Sequence, residues 1–390
     1  MHQNMINLFG MALLLFSPSC NPDKDNQEVL PSVLANNVAK FEGNQNSEFS
    51  FEVRLEFDHD KPVSVDYYTQ DLTAKAGGDY VAVSGTLEFQ PGVTSLMIEV
   101  PVLADTLREE DENFEIILSN PVNARLSSLK ITGSIRNDDT YLPLELDGYN
   151  TPDNYPGWNL VWEDDFDQGI DPANWKYQTG ATGWGNNEWQ HYTDRPENAF
   201  VSEGVLVIEA RKESYNGSDY TSARMITAGL KEFQYGRVDI RAKLPEGKGI
   251  WPALWMLGSD FWTTGWPGCG EIDIMEIIGS EPSRLHGTVH WDNGGSYASY
   301  GNHTDLSSGK FSDEFHVFSI IWDEEQIRWL LDDVQFNVVD TRPSGLSEFH
   351  QPYFFLFNVA VGGNWPGYPD NTTVFPQRMM VDYIRVFQKP

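Results

Sequence analysis

Short stretches of alternating apolar and polar residues cover most of the chain. Examples are FSFEVRL at 49–55 and VLVIEA at 205–210. A period of two between Gly, Pro and Asp turn signals is typical of half-buried antiparallel strands, and no long stretch has the 3.6-residue period of a helix. RWLLDDVQF at 328–336 predicts a hairpin that turns at Asp332 and Asp333. The pattern predicts an all-β protein.

The tryptophans divide the sequence into two parts, because all thirteen lie between Trp158 and Trp365. About seven strand-like stretches within residues 29–139 predict a small β-sandwich. Residues 140–157 are rich in Pro and Gly without a clear period, which predicts a linker. Residues 158–390 predict a larger β-sandwich whose two sheets curve enough to leave an open concave face.

The formal net charge is −32, from 26 basic and 58 acidic residues. Binding to a nucleic-acid backbone needs clustered Lys and Arg, so the charge argues against nucleic acid as a partner. A neutral polymer is indifferent to this electrostatic field, whereas a heavily sulfated polymer is repelled by it.

The first twenty residues predict export. MALLLF at 11–16 is too short to span a bilayer but suits the apolar region of a secretory signal. SPSC at 17–20 resembles the lipobox of bacterial lipoproteins, which predicts a protein anchored to the outer membrane through a lipidated Cys20. No Lys or Arg precedes the apolar stretch and Pro18 is unusual there, so a freely secreted protein is the alternative. If Cys20 is lipidated, it forms no disulfide with Cys269.

Three carboxylates lie within six residues of CGEIDIMEIIG, at positions 269–279. On a regular strand Glu271 and Asp273 share one face, whereas Glu276 points to the other face, about 16 Å from Glu271. One extra residue, predicted to be Met275, makes a β-bulge that returns Glu276 to the face of Glu271. The backbone separation is then about 13 Å and the carboxyl groups lie roughly 5 to 6 Å apart, as nucleophile and acid/base do in retaining glycosidases.

The same stretch is part of a wider resemblance. WPGCGEIDIME at 266–276 resembles the active-site strand of glycoside hydrolase family sixteen, and its extra residue resembles the laminarinase branch of that family. The resemblance implies a β-jelly-roll whose concave sheet carries a substrate cleft. It extends over residues 158–390, through WEDDF at 162–166, GWGNNE at 183–188, YTSAR at 220–224, GRVDI at 236–240, WPALWML at 251–257, HGTVH at 286–290 and NVAVGGNWP at 358–366.

Residue roles are implied by the matching positions. By the resemblance, Glu271 is the nucleophile, Glu276 the general acid/base and Asp273 an assisting acid. The implied activity is that of an endo-acting, retaining, monomeric hydrolase of β-1,3-glucan such as laminarin. A mixed-linkage β-1,3-1,4-glucan hydrolase, a transglycosylase and a non-catalytic glucan-binding protein are the alternatives. The matching positions that contact sugar are Asn187, Arg224, Trp251, Trp255, His290 and Trp365.

The resemblance also implies a structural calcium ion on the convex face, with ligands around Glu163, Gly204 and Asp382. Catalysis is predicted to need no cofactor. His286 and His290 raise the alternative of a metal pair, but neither a His-Glu-x-x-His motif nor a cysteine cluster accompanies them.

The first part of the chain resembles a second family, the Calx-beta domain. The similarity rests, in order, on FEGN at 41–44, GGDY at 77–80, SGTLEF at 84–89, DENF at 111–114 and IRNDD at 135–139. It implies an Ig-like β-sandwich, which acts either as a spacer or as a calcium-binding module. Clustered carboxylates suit Ca²⁺, and the positions that match calcium ligands are Glu42, Asp79, Asp105, Glu110, Asp138 and Asp139.

Overall fold

Strands dominate the computed structural model of the protein, which describes residues 29–127 and 130–390. The chain divides into two compact units, Met1–Asp105 with Glu110–Asn137, and Thr106–Glu109 with Asp138–Pro390. Both units are built from β-sheets, so the predicted all-β class is confirmed. Within the described ranges, no helix is long and apolar enough to cross a membrane. The predicted signal and Cys20 lie outside the described residues.

The first unit packs two sheets around an apolar core. Its strands are β1 (Ser32–Ala35), β2 (Val38–Phe41), β3 (Ser47–Leu55), β4 (Val63–Asp71), β5 (Ser84–Phe89), β6 (Ser95–Val102), β7 (Glu112–Val122), β8 (Arg125–Leu126) and β9 (Lys130–Arg136). The sheet orders are β6-β3-β1-β8 and β2-β9-β7-β4-β5. In β3, Phe49, Phe51 and Val53 are buried and alternate with more exposed residues, as the period of two predicts.

The six acids predicted to match calcium ligands are not all in this first unit. Glu42 accepts a hydrogen bond from the backbone N–H of Asp105 at 3.2 Å, and Asp79 accepts one from a backbone N–H four residues earlier at 2.5 Å. Asp138 and Asp139 belong to the second unit. Calcium binding by the first unit stays a prediction.

The second unit contains two large sheets with a core between them. The back sheet has the strands β10 (Asn159–Asp164), β13 (Ala199–Ser202), β14 (Val205–Ala210), β18 (Gly236–Lys243), β23 (His316–Trp322), β24 (Gln326–Leu331), β25 (Val334–Asp340) and β27 (Gln377–Gln388). The cleft sheet has the strands β11 (Lys176–Tyr177), β16 (Arg224–Ile226), β17 (Glu232–Phe233), β19 (Ile250–Gly258), β20 (Glu271–Glu276), β21 (Arg284–Asp292), β22 (Tyr297–Asp305) and β26 (Tyr353–Val361).

Smaller elements complete the second unit. They are the strand pair β12 (Gln190–Tyr192) and β15 (Tyr220–Ser222), the four-residue helix α1 (Phe261–Thr264) and a 3₁₀ helix (Ser344–His350). The main path of the cleft sheet is β11-β16-β26-β19-β20-β21-β22, and that of the back sheet is β13-β14-β27-β18-β23-β24-β25.

Burial explains where the alternating pattern of the second unit fails. Every residue of β26 is buried, because one face packs into the core and the other forms the floor of the cleft. Such strands have continuous apolar runs rather than an alternation. Strands β24 and β25 form the predicted hairpin, and Asp332 and Asp333 turn between them with φ of 50° and 63°.

The segment predicted as a linker, residues 140–157, belongs to the second unit. Arg241 of β18 is buried, and its guanidinium donates to the backbone carbonyls of Leu146 and Tyr149 at 2.6 and 2.7 Å. The Tyr149 hydroxyl donates to Asp333 at 2.9 Å. Hydrogen bonds to a charged donor are strong, so these contacts fix the segment although its sequence has no period. The linker prediction is therefore corrected.

Candidate active site

A β-bulge in β20 brings the three predicted carboxylates, Glu271, Asp273 and Glu276, to the cleft. Asp273 pairs with Thr288 of β21, and Glu276 pairs with His286. Three residues along β20 are therefore opposite two residues along β21. Against β19 the pairing passes from Asp273 to Met275 and leaves Ile274 as the extra residue. The extra residue is thus Ile274 rather than the predicted Met275, and both side chains are buried in the core. The predicted bulge and the shared face are confirmed.

The carboxylates lie in a cleft of about 790 Å³. Its wall is mostly aromatic and polar, which suits sugars, because indole faces pack against C–H groups and polar groups bind hydroxyls. Five of the six predicted sugar-contact residues are in this wall: Arg224, Trp251, Trp255, His290 and Trp365. Other residues of the wall are Gln178, Trp184, Asn186, Glu188, Phe261, Trp266, His286, Thr288, Tyr297 and Asn358.

Glu271 is buried beside other carboxylates, and two neighbouring groups offset part of the resulting rise in its pKa. It accepts a hydrogen bond from the indole N–H of Trp266 at 2.9 Å. The Nε2 atom of His290 lies 3.7 Å from a Glu271 oxygen and 3.1 Å from Asp273 Oδ2, and His290 Nδ1 is bonded to the Tyr297 hydroxyl at 2.8 Å. Burial and, second, the charge of Asp273 raise the pKa of Glu271 well above its ordinary value, and His290 and the Trp266 hydrogen bond offset only part of this rise.

Glu276 has one indole donor, and His290 lowers its pKa as it does that of Glu271. Its Oε1 atom accepts a hydrogen bond from the indole N–H of Trp251 at 3.0 Å. Burial and, second, the charge of Asp273 raise the pKa of Glu276 to about 8. A carboxyl group with this pKa is protonated at neutral pH, which is the state that a general acid needs.

Asp273 lies between the two glutamates along β20, with 2% of its side chain exposed. Burial raises the pKa of Asp273 to about 8. Because like charges disfavour the ionisation of all three carboxyl groups at once, the cluster holds protons near neutral pH.

A stacked guanidinium forms one wall of the cleft. Arg224 lies over the rings of Trp184 and Trp255, 5.0 and 4.7 Å from their centroids. Its Nε donates to Gln178 at 2.6 Å, and the Trp255 indole donates to Asn358 at 2.8 Å. Cation–π stacking and these hydrogen bonds hold both indole rings in the wall.

Aromatic side chains flank both glutamates. On the Glu276 side, Trp365 packs edge-on against Trp251 at 5.5 Å, and 40% of Trp365 is exposed. On the Glu271 side, Trp266 and Tyr297 have ring centroids 5.3 Å apart and are both exposed. Exposed aromatic surfaces therefore lie on both sides of the carboxylates.

Asn187 is the one predicted sugar-contact residue that lies outside the cleft wall. Its backbone has a φ of 58°, and its side-chain amide donates to Asn364 at 2.8 Å. The neighbouring Asn186 and Glu188 line the cleft instead. Asn187 thus lies beside the cleft rather than in its wall, and its contact with sugar stays a prediction.

Glu188 was not predicted as a site residue. It is buried in the cleft wall, accepts a hydrogen bond from Gln190 at 2.6 Å, and has a pKa raised by burial. The signal was present in GWGNNE at 183–188, where Glu188 is the only carboxylate. Trp266 was also missed, although it begins the stretch that resembles the active-site strand.

The carboxylates predicted around the structural calcium are paired with arginines. Glu163 accepts a hydrogen bond from Arg385 at 2.6 Å, and Asp382 accepts one from Arg241 at 2.8 Å. Ca²⁺ prefers negatively charged oxygen ligands, so carboxylates neutralised by guanidinium groups fit it poorly. Backbone carbonyls, such as that of Gly204, would have to supply the ligands, and the calcium site stays a prediction.

Comparisons with known proteins agree with this geometry. Glycosyl hydrolases family 16 matches residues 186–385, and the Calx-beta domain matches residues 25–138. A beta-glucanase from Rhodothermus marinus is 44% identical over 255 residues, which are 62% of this chain and 89% of that protein. Glucan endo-1,3-beta-glucosidase A1 from Niallia circulans is 37% identical over 262 residues, which are 60% of this chain and 38% of that protein.

A solved structure shows the same similarity. The laminarinase catalytic domain from Thermotoga maritima is 49% identical and superimposes with a TM-score of 0.55, covering 60% of this chain and 99% of that domain. The family match includes all three carboxylates of β20 and most of the cleft wall. The protein is therefore a glycoside hydrolase that belongs to glycosyl hydrolases family 16 and carries a Calx-beta domain ahead of its catalytic unit.

Proposed function

We propose that the protein is an endo-acting, retaining hydrolase of β-1,3-glucan such as laminarin. The bulge of β20 carries this proposal, because it places Glu271 and Glu276 on one face with Asp273 between them. A relative named glucan endo-1,3-beta-glucosidase and a structural neighbour named laminarinase support β-1,3-glucan as the substrate.

In the first step, ionised Glu271 attacks the anomeric carbon and forms a covalent glycosyl–enzyme ester while the glycosidic C–O bond breaks. The proton held on Glu276 passes to the departing oxygen. The pKa of about 8 keeps Glu276 protonated for this step, chiefly because Glu276 is buried.

In the second step, Glu276, now ionised, takes a proton from a water molecule that attacks the same carbon. The ester bond breaks, and Glu271 leaves as a carboxylate. Each step inverts the anomeric centre, so the product keeps the β configuration.

Endo action is supported by the aromatic side chains on both sides of the glutamates. Trp251 and Trp365 offer ring surfaces to sugars beyond Glu276, and Trp266 and Tyr297 offer them beyond Glu271. A polymer bound across both surfaces is cut within its length.

The test measures reducing ends released from laminarin, with the anomer of the first product followed by proton NMR. We expect oligosaccharides of several lengths early in the reaction and the β anomer first. Glu271→Gln is the matched control and releases none. Binding of laminarin by the wild type without release of reducing ends, or an α anomer as first product, contradicts the proposal.

The alternatives give distinct products. Faster release from mixed-linkage β-1,3-1,4-glucan than from laminarin indicates the mixed-linkage hydrolase. Products longer than the substrate at high oligosaccharide concentration indicate the transglycosylase. Both keep the same carboxylate chemistry, because a sugar hydroxyl replaces water in the second step of transglycosylation.

We also propose that the protein is exported as a monomer and anchored through a lipidated Cys20. MALLLF at 11–16 followed by SPSC at 17–20 supports export and the lipid anchor. A Cys20→Ser variant is expected to move from the membrane fraction to the medium of the producing cells. Equal membrane association of the variant and the wild type excludes the lipid anchor and favours free secretion or another attachment.

A further inference from the structure

The bulge of β20 lies over two side-chain donors that cross the core from the back sheet. The buried indole of Trp329, on β24, donates to the backbone carbonyl of Asp273 at 2.8 Å. The buried amide of Asn337, on β25, donates to the backbone carbonyl of Gly287 at 3.0 Å. Trp329 and Asn337 are direct cross-strand neighbours, so the two donors form one unit, which we call the bulge clamp.

Both acceptors of the bulge clamp flank the interrupted ladder. Asp273 is the last residue of β20 in register with β21 before the bulge. Gly287 lies on β21 between Thr288 and His286, which pair with Asp273 and Glu276. It is therefore opposite the bulged residues of β20. A bulge disrupts the hydrogen bonds of its ladder, and buried backbone carbonyls need a donor. The clamp supplies donors at this place.

The shape of β21 is adapted to the indole. Gly287 faces the core, and a Cβ added at this position would lie 2.5 Å from Trp329 Cδ1. Any side chain at Gly287 therefore displaces the indole that bonds to Asp273. Ile274 and Met275 fill the core beside it, so the bulge is held by packing and by hydrogen bonds at once.

The position of the bulge decides which way Glu276 faces. Side chains alternate along a strand, so loss of the extra residue from the pairing before Glu276 turns that side chain away from the cleft. Glu271 and Asp273 precede the bulge and keep their face in either case. Only the geometry of Glu276 relative to Glu271 depends on it.

We propose that Trp329 and Asn337 are positioning residues, which hold the bulge of β20 and thereby the Glu276 carboxyl group in reach of the leaving-group oxygen. The inference rests on the proposed roles of Glu271 and Glu276. Neither clamp residue touches substrate, because both are buried between the sheets.

The first variant is Trp329→Phe, which keeps an aromatic ring and removes the N–H donor. The matched control is Trp322→Phe. Trp322 is equally buried in the back sheet, and its indole donates to the carbonyl of Phe349 at 3.1 Å, away from the bulge. Thermal unfolding, kcat and KM on laminarin are measured for both variants and for the wild type.

The second substrate is 2,4-dinitrophenyl β-laminaribioside, whose leaving group departs without a proton. Its kcat/KM reports the attack of Glu271 without help from Glu276. For Trp329→Phe we expect kcat on laminarin to fall about 10- to 100-fold with KM within about twofold, since a misplacement near 1 Å costs up to about 100-fold. The kcat/KM for the dinitrophenyl glycoside should fall less than about threefold. Trp322→Phe should lower thermal stability similarly and spare kcat.

Gly287→Ala provides an independent variant, because it displaces the indole while leaving Trp329 in place. Asn337→Leu removes the second donor without burying a charge. Both should show the same selective loss on laminarin, and that result supports the proposal even if Trp329→Phe does not fold.

Equal losses on the two substrates, or a Trp322→Phe variant that loses as much kcat as Trp329→Phe, overturn the positioning role. So does a folded Trp329→Phe variant with wild-type kcat. A wild type that releases nothing from laminarin or mixed-linkage glucan refutes the proposed function itself, and with it this inference. That result is distinct, because it precedes any variant.

Discussion

The two halves of the cleft surround their glutamates, Glu271 and Glu276, with different side chains. Glu271 receives an indole N–H from Trp266, a half-exposed residue of the loop after α1, and lies beside His290. Glu276 receives its indole N–H from Trp251, which is carried by the central strand β19, and its partner on β21 is His286.

The difference in contacts accompanies the difference in the proposed roles. Burial lowers the pKa of His286, so the imidazole that pairs with Glu276 across the strands is neutral, whereas His290 lowers the pKa of both glutamates. His290, in contrast, contacts Asp273 and lies near Glu271. Two carboxyl groups in unlike surroundings serve as nucleophile and acid/base, and the variants below test whether that distinction holds.

The largest expected effect comes from truncating each glutamate and adding azide. We expect Glu271→Ala to lose at least about 10⁴-fold in kcat on laminarin and Glu276→Ala about 10²- to 10⁴-fold. With the dinitrophenyl glycoside and azide, Glu271→Ala should give an α-glycosyl azide, because azide enters from the face that Glu271 vacated. Glu276→Ala should give a β-glycosyl azide, because azide attacks the glycosyl–enzyme from the opposite face. The azide products are identified by NMR.

Glu188→Gln is the control for this experiment, because it removes another buried carboxylate of the cleft wall. It should form no glycosyl azide. If Glu276→Ala gives the α product and Glu271→Ala the β product, the two roles are exchanged and the comparison fails.

The second prediction compares the two histidines of β21. His290→Asn should lower kcat on laminarin about tenfold or more, because it removes the imidazole that lowers the pKa of Glu271, and one pKa unit corresponds to about a tenfold change in the ionisation equilibrium. His286→Asn should lower it less than about threefold, since His286 is neutral and packs edge-on against Trp365 at 5.0 Å. Steady-state kcat and KM are measured for both. Equal losses in kcat contradict a special role for the Glu271 side.

The bulge was predictable from the sequence because side chains alternate between the two faces of a strand. Three carboxylates at 271, 273 and 276 have no common face on a regular strand, and an extra residue is the local solution. The alternation of faces does not say which residue is extra. In the structure the extra residue is Ile274 rather than Met275. That choice depends on the partner strands.

Contacts between distant residues were out of reach of the sequence. Trp329 bonds to Asp273 from the other sheet, 56 residues away. The packing of residues 140–157 depends on contacts with distant strands, such as those of Arg241 with Leu146 and Tyr149 and that of Tyr155 with Asp239, rather than on their own pattern. The hydrogen bond of Asn187 to Asn364, 177 residues away, is likewise not specified by the motif GNNE.

The smallest expected effect is a shift in pH dependence. Trp251→Phe and Trp266→Phe each remove an N–H that stabilises an ionised carboxylate, so each should raise the pKa of its own glutamate. Activity needs Glu276 protonated, and for the wild type kcat/KM should fall as pH rises through about 8. Trp251→Phe should move this basic limb to higher pH, by up to about one unit.

Trp266→Phe should act on the opposite limb. Activity needs Glu271 ionised, so a higher pKa of Glu271 moves the acidic limb of kcat/KM upward and leaves the basic limb in place. The two variants therefore widen and narrow the active pH range, respectively, although each loses one indole donor. Movement of the same limb in both variants would show that the two indoles act on one shared protonation, and that the halves of the cleft are not distinct.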